Sequence, residues 1–146
     1  MTPRSPVALD TSVVIAALLS WHEGHDAAVA ALEASLADPA GAVLPLPALV
    51  EAYAVMTRLP APHRLRPVDA ADVLRSSLSG RVRVVTLDET DAWGLIASLA
   101  NSTIAGGRAY DALIAACARS VPSERLMTLN ARDFAAVAPD LELIVP

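Results

Sequence analysis

Short aliphatic or β-branched runs alternate along this chain with longer segments whose apolar residues recur at helical spacing. The runs that read as strands fall at 6–9, 42–44, 82–86, 125–128 and 142–145. Between and after them, the periodicity predicts helices over roughly 11–19, 24–37, 47–58, 68–79, 89–101, 109–120 and 131–137. Strands separated by helical crossovers are the signature of a parallel sheet. Pro45 and Pro47 bracket the start of the third helix, where proline is tolerated in a first turn. Asp88, followed by Glu89-Thr90-Asp91, reads as an N-cap with an acidic first turn. The Pro-rich stretch from Leu59 to Pro67 is the only obvious break, and too little chain lies on either side of it for two cores. A single domain over residues 1–146 is expected.

Four carboxylates depart from this pattern. Asp10 ends the apolar run Val7-Ala8-Leu9 and opens the helical run from Thr11 to Leu19. A carboxylate leaving a buried strand is costly unless it is paired, capping or coordinated. Open α/β sheets also place their chemistry at that end of a strand. Capping of the helix by Thr11 or Ser12 would serve equally well, so the acid itself needs another reason. Glu51 interrupts a helix that carries no other charge until Arg58, which suggests a lined cavity. Asp111 opens Ala112-Leu113-Ile114-Ala115-Ala116 after Gly106-Gly107, and a capping role alone would explain it. Asp133 lies just past the fourth strand. Asn130 is the better cap for that helix, which leaves Asp133 free to point elsewhere. By contrast, Asp38, Asp69, Asp72, Asp88, Asp91 and Asp140 are expected as surface or cap residues.

Composition narrows the possibilities. A net charge of −5 argues against a broadly basic nucleic-acid binder, although an acidic pocket that holds cations would reverse its local charge. All 11 basic residues are arginine, a residue that forks phosphate bidentately. Apolar residues make up 54% of the chain, yet no apolar run approaches the ~20 residues of a membrane span. A cytoplasmic protein that hides apolar surface against itself or a partner is expected. The single cysteine, Cys117, sits on a helical apolar stripe and is expected in the core. His22, His25 and His63 show neither triad nor zinc spacing, and His25 reads as helix surface or packing.

The runs Leu9-Asp10-Thr11-Ser12-Val13, Ala48-Leu49-Val50-Glu51, Gly107 to Ala115 and Thr128 to Phe134 resemble the successive motifs of PIN-domain ribonucleases. They are most similar to those of VapC-type toxins of bacterial toxin–antitoxin pairs. The segment from His22 to Ala28 and the final Leu143-Ile144-Val145-Pro146 share the resemblance, which covers the chain in order. It implies a three-layer α/β/α fold with a central, mainly parallel sheet of four to five strands. It also implies that Asp10, Glu51, Asp111 and Asp133 form an acidic quartet for Mg²⁺ or Mn²⁺. Asp10 and Asp111 would be direct ligands, and Ser12 and Asn130 would support the site. Relatives vary between Asp and Asn near Asn130, so either Asp133 or Asn130 could complete the quartet.

The chemistry expected from that resemblance is phosphodiester hydrolysis of RNA by in-line attack of water activated at a divalent ion. Arg108 and Arg132, beside two of the acids, are candidates for touching substrate phosphates, with Arg64 and Arg66 weaker ones. Single-stranded or loop RNA, in a tRNA or rRNA for example, is the expected target because unstacked bases can enter a small site. A homodimer, a VapB-like antitoxin that blocks the groove and a higher toxin–antitoxin assembly are further implications, and no membrane is implied. Two other readings compete. A phosphohydrolase with an aspartate nucleophile would want an acid where Ser12 stands and a lysine this chain lacks. A PIN-like module that only binds partners would have eroded acids, whereas all four positions are filled.

Overall fold

The computed structural model describes residues 4–146. Five strands form one sheet: β1 (Val7–Leu9), β2 (Ala42–Pro45), β3 (Arg83–Val85), β4 (Arg125–Met127) and β5 (Glu142–Ile144). Their order is β3-β2-β1-β4-β5, and every neighbouring pair is parallel. Seven helices fill the connections: α1 (Thr11–Leu18), α2 (His25–Ala37), α3 (Leu46–Arg58), α4 (Pro67–Leu78), α5 (Glu89–Asn101), α6 (Arg108–Arg119) and α7 (Ala131–Val137). These elements match the expected ones to within about two residues, and the sheet is wholly rather than mainly parallel.

Hydrophobicity explains the layout. β1 is the central strand, and Val7, Ala8 and Leu9 are all buried, as a strand covered on both faces requires. The core continues through Val13 and Val14 of α1, Leu44 of β2, Ile114 and Cys117 of α6, Leu126 of β4 and Phe134 of α7. Cys117 is therefore a packing residue, as its place on the apolar stripe predicts. Asp88 caps α5 by accepting the Asp91 N–H at 2.7 Å. Even so, no residue of α5 is buried, and Trp93 and Ile96 stand open to solvent. No helix among the described residues is long and apolar enough to cross a membrane.

The topology fixes where a groove can open. From β1 the chain moves outward to β2 and β3 on one side, then returns to lay β4 and β5 on the other. The connections leaving β1 and β4 therefore diverge, and a crevice forms beyond the carboxyl ends of these two adjacent strands. Asp10 leaves β1 at that point, and Thr128, Leu129 and Asn130 leave β4.

Candidate functional site

An open groove of about 480 Å³ lies at this position, lined by Asp10, Ser12, His22, Glu51, Asp111 and Asn130 among others. Asp10 is held deepest, with only 4% of its surface exposed. Its backbone has the extended geometry of an N-cap, but its carboxylate caps nothing. It turns instead across the sheet. Ser12 Oγ donates to Asp10 Oδ2 at 2.7 Å and Thr128 Oγ1 donates to the same oxygen at 2.8 Å. The two hydroxyls also accept backbone N–H groups, from Leu129 onto Ser12 Oγ and from Asn130 onto Thr128 Oγ1, both at 2.9 Å. The turn after β4 and the acid after β1 are thus locked by one polar network. The alternative in which Thr11 or Ser12 caps α1 does not hold, because the cap position of α1 is Asp10 and no side-chain hydroxyl accepts a backbone N–H of its first turn among the described residues.

Glu51 projects from α3 toward the same groove. Its side chain is exposed but fixed, with Thr11 Oγ1 donating to Oε2 at 2.9 Å. The lined cavity suggested by a lone acid in an apolar helix is this groove. Asp111 sits in the first turn of α6 and is half-buried. Its side chain makes no cap bond, since α6 begins earlier, at Arg108, after Gly107. Burial first, then the charges of Asp10, Asp133 and Glu51, push its carboxyl up to about 6 against the opposing pull of Arg108. The four acids expected to act together are therefore close enough to feel one another.

At the fourth corner, which either Asp133 or Asn130 could fill, the expectation that fails is the cap at Asn130. Asn130 precedes α7 but makes no side-chain cap bond, because its backbone (φ −114°, ψ 51°) lies outside the extended region an N-cap needs. Its side chain belongs instead to the groove lining. Asp133, in the first turn of α7, is exposed and lies outside that lining, with its charge still reaching Asp111. Arg108 and Arg132 are exposed as well, and neither lines the groove. Thr11, Thr128 and His22 were not singled out as site residues from the sequence. A place just past a strand end was the only signal available for the two threonines.

The donor set suits a hard divalent cation. Asp10 is a nearly buried carboxylate with no ion pair among the described residues, and its Oδ1 is free of hydrogen bonds. Such a charge calls for a counter-cation. No three acidic, histidine or cysteine side chains among the described residues converge into a ready-made cage. That arrangement fits Mg²⁺, which keeps several waters and takes one or two carboxylates together with substrate phosphates.

Residues 7–139 match the family model of the PIN domain. The chain belongs to the PIN-domain family. Among curated PIN-domain relatives it is 40% identical over 126 residues to Ribonuclease VapC40 of Mycobacterium tuberculosis, covering 86% of this chain and 87% of the relative. It is 38% identical over 132 residues to Ribonuclease VapC27 of the same organism, with 88% of each covered. Solved structures share the fold. VapC20 of Mycobacterium tuberculosis, a sarcin-ricin loop cleaving toxin, superposes with a TM-score of 0.64 at 20% identity, covering 82% of this chain and 86% of that one. A chain of the DNA-bound VapBC complex from Salmonella typhimurium gives 0.65 at 22% identity, covering 97% and 98%. Both likenesses agree with the wholly parallel α/β architecture.

Proposed function

We propose that this protein is the toxin of a type II toxin–antitoxin pair, an endoribonuclease that depends on Mg²⁺ or Mn²⁺. The observation that carries the reading is the buried, unpaired Asp10 at the sheet's switch point, with Asp111 and Glu51 lining the same groove. Named ribonucleases at 40% and 38% identity over most of the chain support the reaction class. Toxin–antitoxin complexes of the same fold support an antitoxin partner. The single domain, residues 1–146, acts in the cytoplasm as a homodimer and within a larger assembly once the antitoxin binds.

Asp10 and Asp111 hold the ion in this reading, with Glu51 completing the acidic wall and Asp133 and Asn130 at its rim. Ser12 and Thr128 fix the rotamer of Asp10 by donating to one oxygen, which leaves the other for the metal. Thr11 does the same for Glu51. An ion bound there supplies charge stabilisation on the scissile phosphate and a more acidic water. The open groove admits single-stranded or looped RNA, whose bases are already unstacked.

The test is cleavage of RNA by purified protein with Mg²⁺, with Mn²⁺ and with chelator. Cleavage should need the ion and vanish in Asp10→Asn, which preserves the shape of the side chain and removes its charge. Activity that survives both chelation and that substitution rejects the metal mechanism. Growth arrest on induced expression, relieved by a co-expressed antitoxin, separates a toxin from a housekeeping nuclease.

A further inference from the structure

An RNA backbone entering this groove meets carboxylates, and the groove lining contains no arginine or lysine. The hydroxyls nearest the acids have no proton to offer, since Thr11 donates to Glu51 and Ser12 to Asp10. Two side chains with N–H groups remain in the lining, Asn130 and His22. His22 is held in a particular tautomer. The Gly24 N–H donates to His22 Nδ1 at 2.9 Å, so Nδ1 is the acceptor and a neutral ring carries its proton on Nε2. Gly24 is pressed against that edge of the ring, where an added Cβ would lie 3.3 Å from Nδ1 and 3.4 Å from Cε1. Nε2 has no partner among the described residues and is not sealed from solvent. The loop that carries it is braced from outside, with Trp21 stacked on His63 of the Pro-rich loop at 4.2 Å between ring centroids and 26° between planes.

We propose that His22 is a substrate-contacting residue, donating its Nε2–H to a phosphate oxygen of RNA seated over Asp10 and Asp111. The inference rests on the nuclease reading above and adds to it the missing donor. An N–H donor in the lining of an acidic groove offsets the repulsion between carboxylates and phosphate where the lining holds no arginine. His22 is thus a contact for the sugar–phosphate backbone and carries no information about base sequence.

Two substitutions separate this contact from a role in bracing the loop. Asparagine places its Oδ1 near the position of Nδ1 and can still accept the Gly24 N–H, but offers nothing at Nε2. Glutamine places an N–H near Nε2 and gives up the bond to Gly24. His22→Asn should keep the wild-type melting temperature and lose about tenfold or more in kcat/KM for a single-stranded RNA, the scale of one hydrogen bond to a charged group. His22→Gln should recover much of that loss. In chelator, the affinity for a short fluorescent RNA should fall in the same order. His22→Asn that cleaves and binds like wild type overturns the contact alone. So does His22→Gln that falls further than His22→Asn in step with a lower melting temperature. Wild-type protein that neither cleaves nor binds RNA overturns the nuclease reading and this contact with it.

Discussion

Replacing Asp111 with asparagine should make the metal-free protein more stable while abolishing its activity. In the folded state this carboxyl is pushed from 3.8 to about 6, by burial first and then by Asp10, Asp133 and Glu51. At ~1.4 kcal/mol per tenfold change in proton affinity, that displacement sets a ceiling of about 3 kcal/mol on the cost of its charge. Asp111 is only half-buried, and water and salt screen much of the repulsion, which brings the usable figure to about 1 kcal/mol. For a chain of this length that is a rise of about 3 °C in melting temperature. The folded state holds this proton more tightly than the unfolded chain does. The penalty is therefore fully present above pH ~6 and is relieved as pH falls toward ~4. Thermal unfolding in chelator at low ionic strength should show Asp111→Asn above wild type at pH 7.5, with the two converging near pH 4. Added salt should narrow the gap at neutral pH. Added Mg²⁺ should stabilise wild type more than the variant and reverse their order. An apoprotein variant no more stable than wild type at pH 7.5, with no convergence on acidification, would refute the electrostatic reasoning.

Two more outcomes follow from the packing around the groove. Thr128→Val removes a buried donor to Asp10 and a part-buried acceptor for the Asn130 N–H. It should cost about 1–3 kcal/mol in urea unfolding and lower cleavage further than that loss of fold explains. Phe134→Ala empties a fully buried site behind α7 and should cost about 3–5 kcal/mol, read in the same urea titration.

The strands and helices were legible because each carries its own period. An Ala/Leu-rich stripe at helical spacing and a short apolar run bounded by turns each present one face or both to a core, so the pattern can be read locally even though packing is what stabilises the element. The acids were legible for a related reason, since Asp10 and Glu51 each break an apolar pattern locally. The partners of those acids were not. Thr128 reaches Asp10 from 118 positions along the chain, and Thr11 reaches Glu51 from 40. In the sequence both are ordinary threonines beside strand ends. Asn130 looked like a cap because its residue type suits one, but the bend after β4 sets a backbone angle that forbids it. Arg132 neighbours Asp133 in the chain, yet successive residues on a helix point in different directions, and Arg108, one turn before Asp111, is near enough to act on its charge without lining the groove. His22 gave no signal because its significance lies in which ring nitrogen is already taken.

The pairing of β1 with β4 also sets a clock. The first strand cannot gain its second neighbour, nor Asp10 its Thr128 hydroxyl, until the chain past Met127 has left the ribosome. At synthesis rates of about 5–20 residues per second, roughly 6–24 s separate the making of Asp10 from that of Asn130. Throughout that interval the nascent chain holds its first acid without the wall that completes the groove. In each round of translation, then, the groove is among the last parts of the fold to be completed, long after the acid at its floor has been made.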